Sequence, residues 1–148
     1  MDAITISLRV TAPGPGAARV SIGRRQFSIG RPIEFDEMSP FVAAIEYALG
    51  AVGGEVVNGL RAFADRRRLE IDAVEAVVTG ELANGLAYLE VIGEEGEPRI
   101  SRIHVKVFAA SPDPAATRAL FPDVIDRLPL LCTLRTAVAL TVELILTS

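Results

Sequence analysis

The chain has 148 residues, half of them hydrophobic, one cysteine, one histidine and a formal net charge of -4. That length predicts a single domain over 1–148, and the charge, with no long basic run, leaves no footprint for nucleic acid. A lone cysteine excludes an internal disulfide and fits a reducing cytoplasm, and a lone histidine leaves no Cys/His cluster for a metal, so no cofactor is expected.

The start, MDAITISLRV, carries an early acid and no apolar h-region, so no signal peptide is expected. Ile4, Ile6, Leu8 and Val10 alternate with polar or small residues and predict a half-buried strand. Pro13-Gly14-Pro15-Gly16 breaks it. Residues 19–23 and 26–29 predict two more strands, with Arg24 and Arg25 at the bend between them, and 31–38 predict a loop.

A long helix over 39–68 follows, and the rest of the chain is organised around it. Ser39 suits the N-cap, Pro40 the first helical position, and Arg66, Arg67 and Arg68 the negative end of the dipole. Nearly every position between is apolar or small, which predicts burial on most sides. Unbroken, it would run about 45 Å. A domain of this size is only about 40 Å across, so a kink at Gly50, Gly53 and Gly54 or a reach into a second subunit is expected. Glu46 and Glu55 interrupt the apolar run. They sit either on a partly wet flank, bonded to neighbouring strands, or in a pocket at a subunit interface. The same two carboxylates argue against a membrane span.

Residues 69–82 predict a strand whose inward set switches from Leu69, Ile71 and Ala73 to Val74, Ala76 and Val78, which calls for a bulge. Asn84-Gly85 predicts a hairpin turn, and 86–92 the returning strand. GEEGEP over 93–98 predicts an exposed acidic loop. Residues 99–109 predict a strand with Ile103, Val105 and Val107 inward and Arg102, His104 and Lys106 outward, so His104 reads as a solvent-facing member of a basic stripe. Ser111-Pro112-Asp113-Pro114 predicts a helix start, and 115–127 a second helix burying Ala116, Leu120, Val124 and Ile125. A short apolar connection over 128–134 and a final strand over 136–147 complete the chain. Strands segregated from two helices predict an α+β fold.

This order resembles that of the OsmC/Ohr family, the osmotically inducible and organic hydroperoxide resistance proteins. The local matches are Ser39-Pro40 leading into Ala48-Leu49-Gly50-Ala51, Leu128-Pro129-Leu130 followed by Leu134, and the strand GEPRISRIHVKVF. The resemblance implies an intertwined α+β homodimer with the two long helices at its centre. It also implies organic hydroperoxide reduction, in the oxidative stress response, by a cysteine on the long helix and a resolving cysteine before the second proline. The first position falls at Ala51 or Val52 and the second at Leu128, so both thiols are missing. The family's carboxylate after the helix proline is Phe41 here. Its arginine, from the N-terminal sheet, corresponds to Arg19, Arg24 or Arg25.

The expected function is therefore that of a divergent member without the paired-cysteine chemistry. It would keep an apolar interface cavity, near Glu46, Ala51, Val52, Glu55 and Leu128, for a small apolar ligand or a structural role. The alternative is a hydroperoxide reductase using Cys132 with an external reductant, Arg135 three residues on favouring the thiolate. Cys132 also reads as a small buried apolar residue. A protein-interaction subunit presenting GEEGEP is a third reading.

Overall fold

A computed structural model describes residues 2–32 and 39–148, so the expected loop over 31–38 lies almost wholly outside the described residues. By its contacts the chain divides into two units, Met1–Ala48 and Leu49–Ser148.

In the first unit, β1 (Arg9–Thr11), β2 (Ala17–Ile22) and β3 (Arg25–Gly30) form an antiparallel sheet in that order. Ile22 pairs with Arg25, and Gly23 at φ 57° supplies the positive φ that the two-residue turn between them needs. The expected first strand is mostly absent. Arg9 pairs with Ser21, which leaves β2 no backbone beyond Ile22 to face Ile4 or Ile6. Those side chains are 88% and 75% exposed. Among the described residues of this unit, Val20 is the one hydrophobic side chain that is fully buried.

Helix α1 (Ala44–Arg66) starts later than the Ser39 cap predicts. The reason is an earlier commitment of the backbone. The Gly30 amide donates to the Val42 carbonyl at 2.8 Å, and Gly30 bridges to Ala43. Residues 41–43 thus run along the edge of β3. The fit requires glycine: a Cβ at Gly30 would lie 2.6 Å from that of Phe41. Glu46 then caps the helix, accepting from the Ala43 amide at 2.9 Å, which is half of a capping box.

The helix runs 23 residues with no break at Gly50, Gly53 or Gly54. Its far end closes as a Schellman motif. Arg68 adopts φ 54°, its amide donates to the Asp65 carbonyl, and the Leu69 amide reaches back to the Ala64 carbonyl at 2.9 Å. Leu69 is spent on that cap, so the next strand, β4 (Ala73–Ala83), begins later than expected. Its inward set is Val74, Ala76 and Val78, and the irregularity falls at Glu81/Leu82 rather than near Ala73.

In the second unit the helix is buried on one face, by Val52, Gly53, Val56, Leu60 and Ala64. Burial on most sides does not occur: Gly50, Ala51, Asn58 and Ala62 are exposed. The buried stripe packs on a sheet of order β4-β5-β6, where β5 is Arg99–Ala110 and β6 is Ala139–Thr147. Ile103, Val105, Val107 and Ala109 of β5 meet it, and Leu120, Phe121, Val124, Leu128 and Leu131 complete the core. The close approach of helix to sheet depends on two glycines. A Cβ at Gly53 would lie 2.7 Å from Val78, and one at Gly80 would lie 2.8 Å from Leu49.

The connection from β4 to β5 corrects the expected hairpin. Asn84 takes φ 55°, but Gly85 opens a short helix, α2 (Gly85–Tyr88), instead of supplying the second positive φ of a type I′ turn. The Asn84 side chain donates to the Glu97 carbonyl at 3.0 Å and closes the neck of the excursion. The expected strand over 86–92 is therefore not formed. Beyond β5, α3 (Pro114–Ile125) is capped by Asp113, which accepts from the Ala116 amide at 3.0 Å. With α4 (Pro129–Leu134) it makes the crossover that parallel β5 and β6 require.

Candidate functional site

The start of α4 faces α1, and two contacts define the meeting. Leu128 is extended, at φ -89° and ψ 117°, and Pro129 takes the first helical position, where a missing amide costs nothing. Leu128 has no side chain able to cap the amides that follow. Glu55 of α1 does it instead. Its Oε1 accepts from the Leu130 amide at 3.0 Å, and its Oε2 accepts from the Leu131 amide at 3.3 Å. Glu55 is half-buried. Below this clamp, Leu128 presses on Gly59, where a Cβ would lie 2.6 Å from the Leu128 Cδ2.

The sequence-predicted residues are thus only partly brought together. Glu55 and Leu128 both serve the α1–α4 contact. Val52 is 1% exposed and packs in the core, whereas Ala51 is exposed. Gly59, where Leu128 rests, lies about 12 Å along the helix axis from Ala51 and about 10 Å from Val52. Glu46 is occupied at the helix start. Arg19, Arg24 and Arg25 are exposed on the N-terminal sheet, and none forms an ion pair with a described residue. Phe41 lies beside Gly30 in the same unit.

Cys132 is half-buried on α4, and its thiol donates to the Asp126 carbonyl at 3.3 Å. The Asp126 carboxylate accepts from Arg135 Nη1 at 2.9 Å. That hydrogen bond, and after it the charge on Cys132, raises the Arg135 pKa above its ordinary value. The Arg135 hydrogen bond thus goes to Asp126 and not to the thiol.

Two thiols are needed to reduce a peroxide and close the cycle through a disulfide within the chain, and the chain has one. Among the described residues no group of three His, Cys, Asp or Glu side chains could hold a metal, and no helix is long and apolar enough to cross a membrane.

Sequence reasoning missed a second cluster. His104 is not simply solvent-facing: it is half-buried, with Nδ1 against the Thr141 hydroxyl and Nε2 3.6 Å from Glu143. Its neighbours come from β6, whose parallel pairing with β5 leaves no mark in either strand's own pattern.

No protein-family model matches the chain, and no curated protein matches it by sequence. Solved structures do match. The OsmC-like protein from Mycoplasma pneumoniae is 16% identical, with 99% of this chain and 98% of that one covered, at a TM-score of 0.75. The organic hydroperoxide resistance protein OhrB of Bacillus subtilis is 18% identical over 95% of this chain and 98% of its own, at 0.66. An OsmC-like protein of unknown function from Vibrio cholerae is 9% identical over 97% of this chain and all of its own, at 0.73. The fold, an antiparallel three-stranded sheet, a long helix and a second sheet with shorter helices, is the OsmC-like fold.

Proposed function

We propose that this OsmC-like chain has lost paired-cysteine peroxide chemistry. It acts in the cytoplasm as a single-domain protein of a homodimer, with an apolar cavity at the dimer interface that takes a small apolar ligand or serves assembly. The observation that carries this reading is at α4. Where the resemblance implies a resolving thiol there is Leu128, packed on Gly59, and the Glu55 carboxylate beside it is committed to two backbone amides. Ala51 and Val52 supply no nucleophile. The homodimer is supported by the first unit. That unit leaves large apolar side chains uncovered: Val10, Phe41 and Val42 are 61%, 43% and 44% exposed.

The half-buried thiol of Cys132 favours a second reading, a thiol-dependent organic hydroperoxide reductase relying on an external reductant. Turnover separates the two. The protein is given cumene hydroperoxide and dithiothreitol, and peroxide loss is followed. The proposed function predicts loss no faster than reductant alone gives. Faster loss that disappears in Cys132→Ser would establish the reductase instead.

A further inference from the structure

The outer face of the second sheet carries an organised set of side chains that the reading above does not use. Because Ile103, Val105 and Val107 of β5 are buried, Arg102, His104 and Lys106 stand in a column on the opposite face. Each has a neighbour on either side. The registers give three rows: Glu81–Arg102–Ala139, Thr79–His104–Thr141 and Val77–Lys106–Glu143. Successive rows are about 6.8 Å apart. All of these residues but Glu143 line a concavity of about 640 Å³, within the range of small-molecule sites.

The pairing of charges within it is uneven. Glu81 faces Arg102 at 3.8 Å. Glu143 is directly opposite Lys106 in register, yet its carboxylate leans one row over, to 3.6 Å from His104 Nε2. The imidazole is held for that role by Thr141 at its other nitrogen. Lys106 is left with no ion pair among the described residues, and the Thr79 hydroxyl beside it has no partner among them either. The concavity itself is lined by two cations, Arg102 and Lys106, and one carboxylate, Glu81, so it is suited to one further negative charge and not to a polyphosphate. Val77, half exposed at 50%, and Ala139 offer apolar wall.

We propose that this concavity binds a small organic monocarboxylate with a short hydrocarbon tail. The Lys106 ammonium pairs with the carboxylate, the Thr79 hydroxyl donates to it, and Val77 covers the tail. His104 is a positioning residue: it draws Glu143 away from Lys106 and so keeps the ammonium open.

The test is a titration of the ¹⁵N-labelled full chain with sodium butyrate at constant ionic strength, read by amide chemical shifts. Saturable shifts at Val77, Thr79, His104 and Lys106 are expected. Lys106→Met should weaken binding about tenfold, the worth of one charge-assisted contact. Arg118→Met, which removes a cation from exposed α3, should leave it unchanged. His104→Phe, which frees Glu143 to reach Lys106, should weaken it too. Unfolding of either sheet variant would show as lost shift dispersion, and Lys106→Gln then serves in its place. Shifts that grow without saturation, equal weakening by Arg118→Met, or equal binding of butylamine would overturn the proposal.

Discussion

Glu55 shows how far a single residue's role can be read in advance. Its place on the helix, within one turn of Ala51 and Val52, was visible in the sequence. Its partners were not, because Leu130 and Leu131 lie 75 and 76 residues on and donate from the backbone, which no side-chain pattern reveals. Losing this cap should cost stability. Glu55→Ala leaves the amides without an acceptor and should lower unfolding free energy by about 1–2 kcal/mol. Glu55→Gln keeps an acceptor and should cost less. Urea denaturation of both variants checks the order. The glycines of α1 make a sharper pair. Gly53→Ala drives a Cβ to 2.7 Å from Val78, a stiff β-branched side chain on a strand. It should destabilise by about 1–3 kcal/mol. Gly50→Ala meets nothing within 4 Å and should stabilise by about 0.5–1 kcal/mol through helix propensity. Sequence spacing grouped these two glycines as one kink. Packing separates them.

Among the elements, those carried by local periodicity were legible, and those set by a partner were not. The alternation in 99–109 identified β5 and its inward face, because that strand is central and one face is buried. The start of α1 was misplaced because Ser39-Pro40 is a good local signal overridden by the pairing of Gly30 with Val42 and Ala43. Asn84-Gly85 misled for a related reason: Asn84 does take the left-handed conformation, but the side-chain bond to Glu97 spans a longer excursion. The end of α1 offers a test of its own. Arg68 holds φ 54° at the C′ position, where a side chain is strained and glycine is not. Arg68→Gly should therefore raise stability, by about 1 kcal/mol. A thermal midpoint unchanged or lowered would mean that the Schellman end of α1 is not formed in solution.

For the whole molecule, the α+β class was legible from the sequence, and so was the strand–helix order except at 86–92, where the expected strand gives way to α2, while the parallel placement of β6 and the division into two units depend on long-range contacts. The proposed homodimer follows from apolar side chains left open on the first unit, and sedimentation velocity at micromolar concentration should give a single species of twice the chain mass. A monomer there would remove the interface cavity from the account. The central claim, that the fold persists here without peroxide-reducing chemistry, is tested most directly by intact mass. The reduced protein is mixed with one equivalent of cumene hydroperoxide and quenched within seconds. The account predicts an unchanged mass and full later alkylation at Cys132. Rapid stoichiometric gain of one oxygen at Cys132 would contradict it.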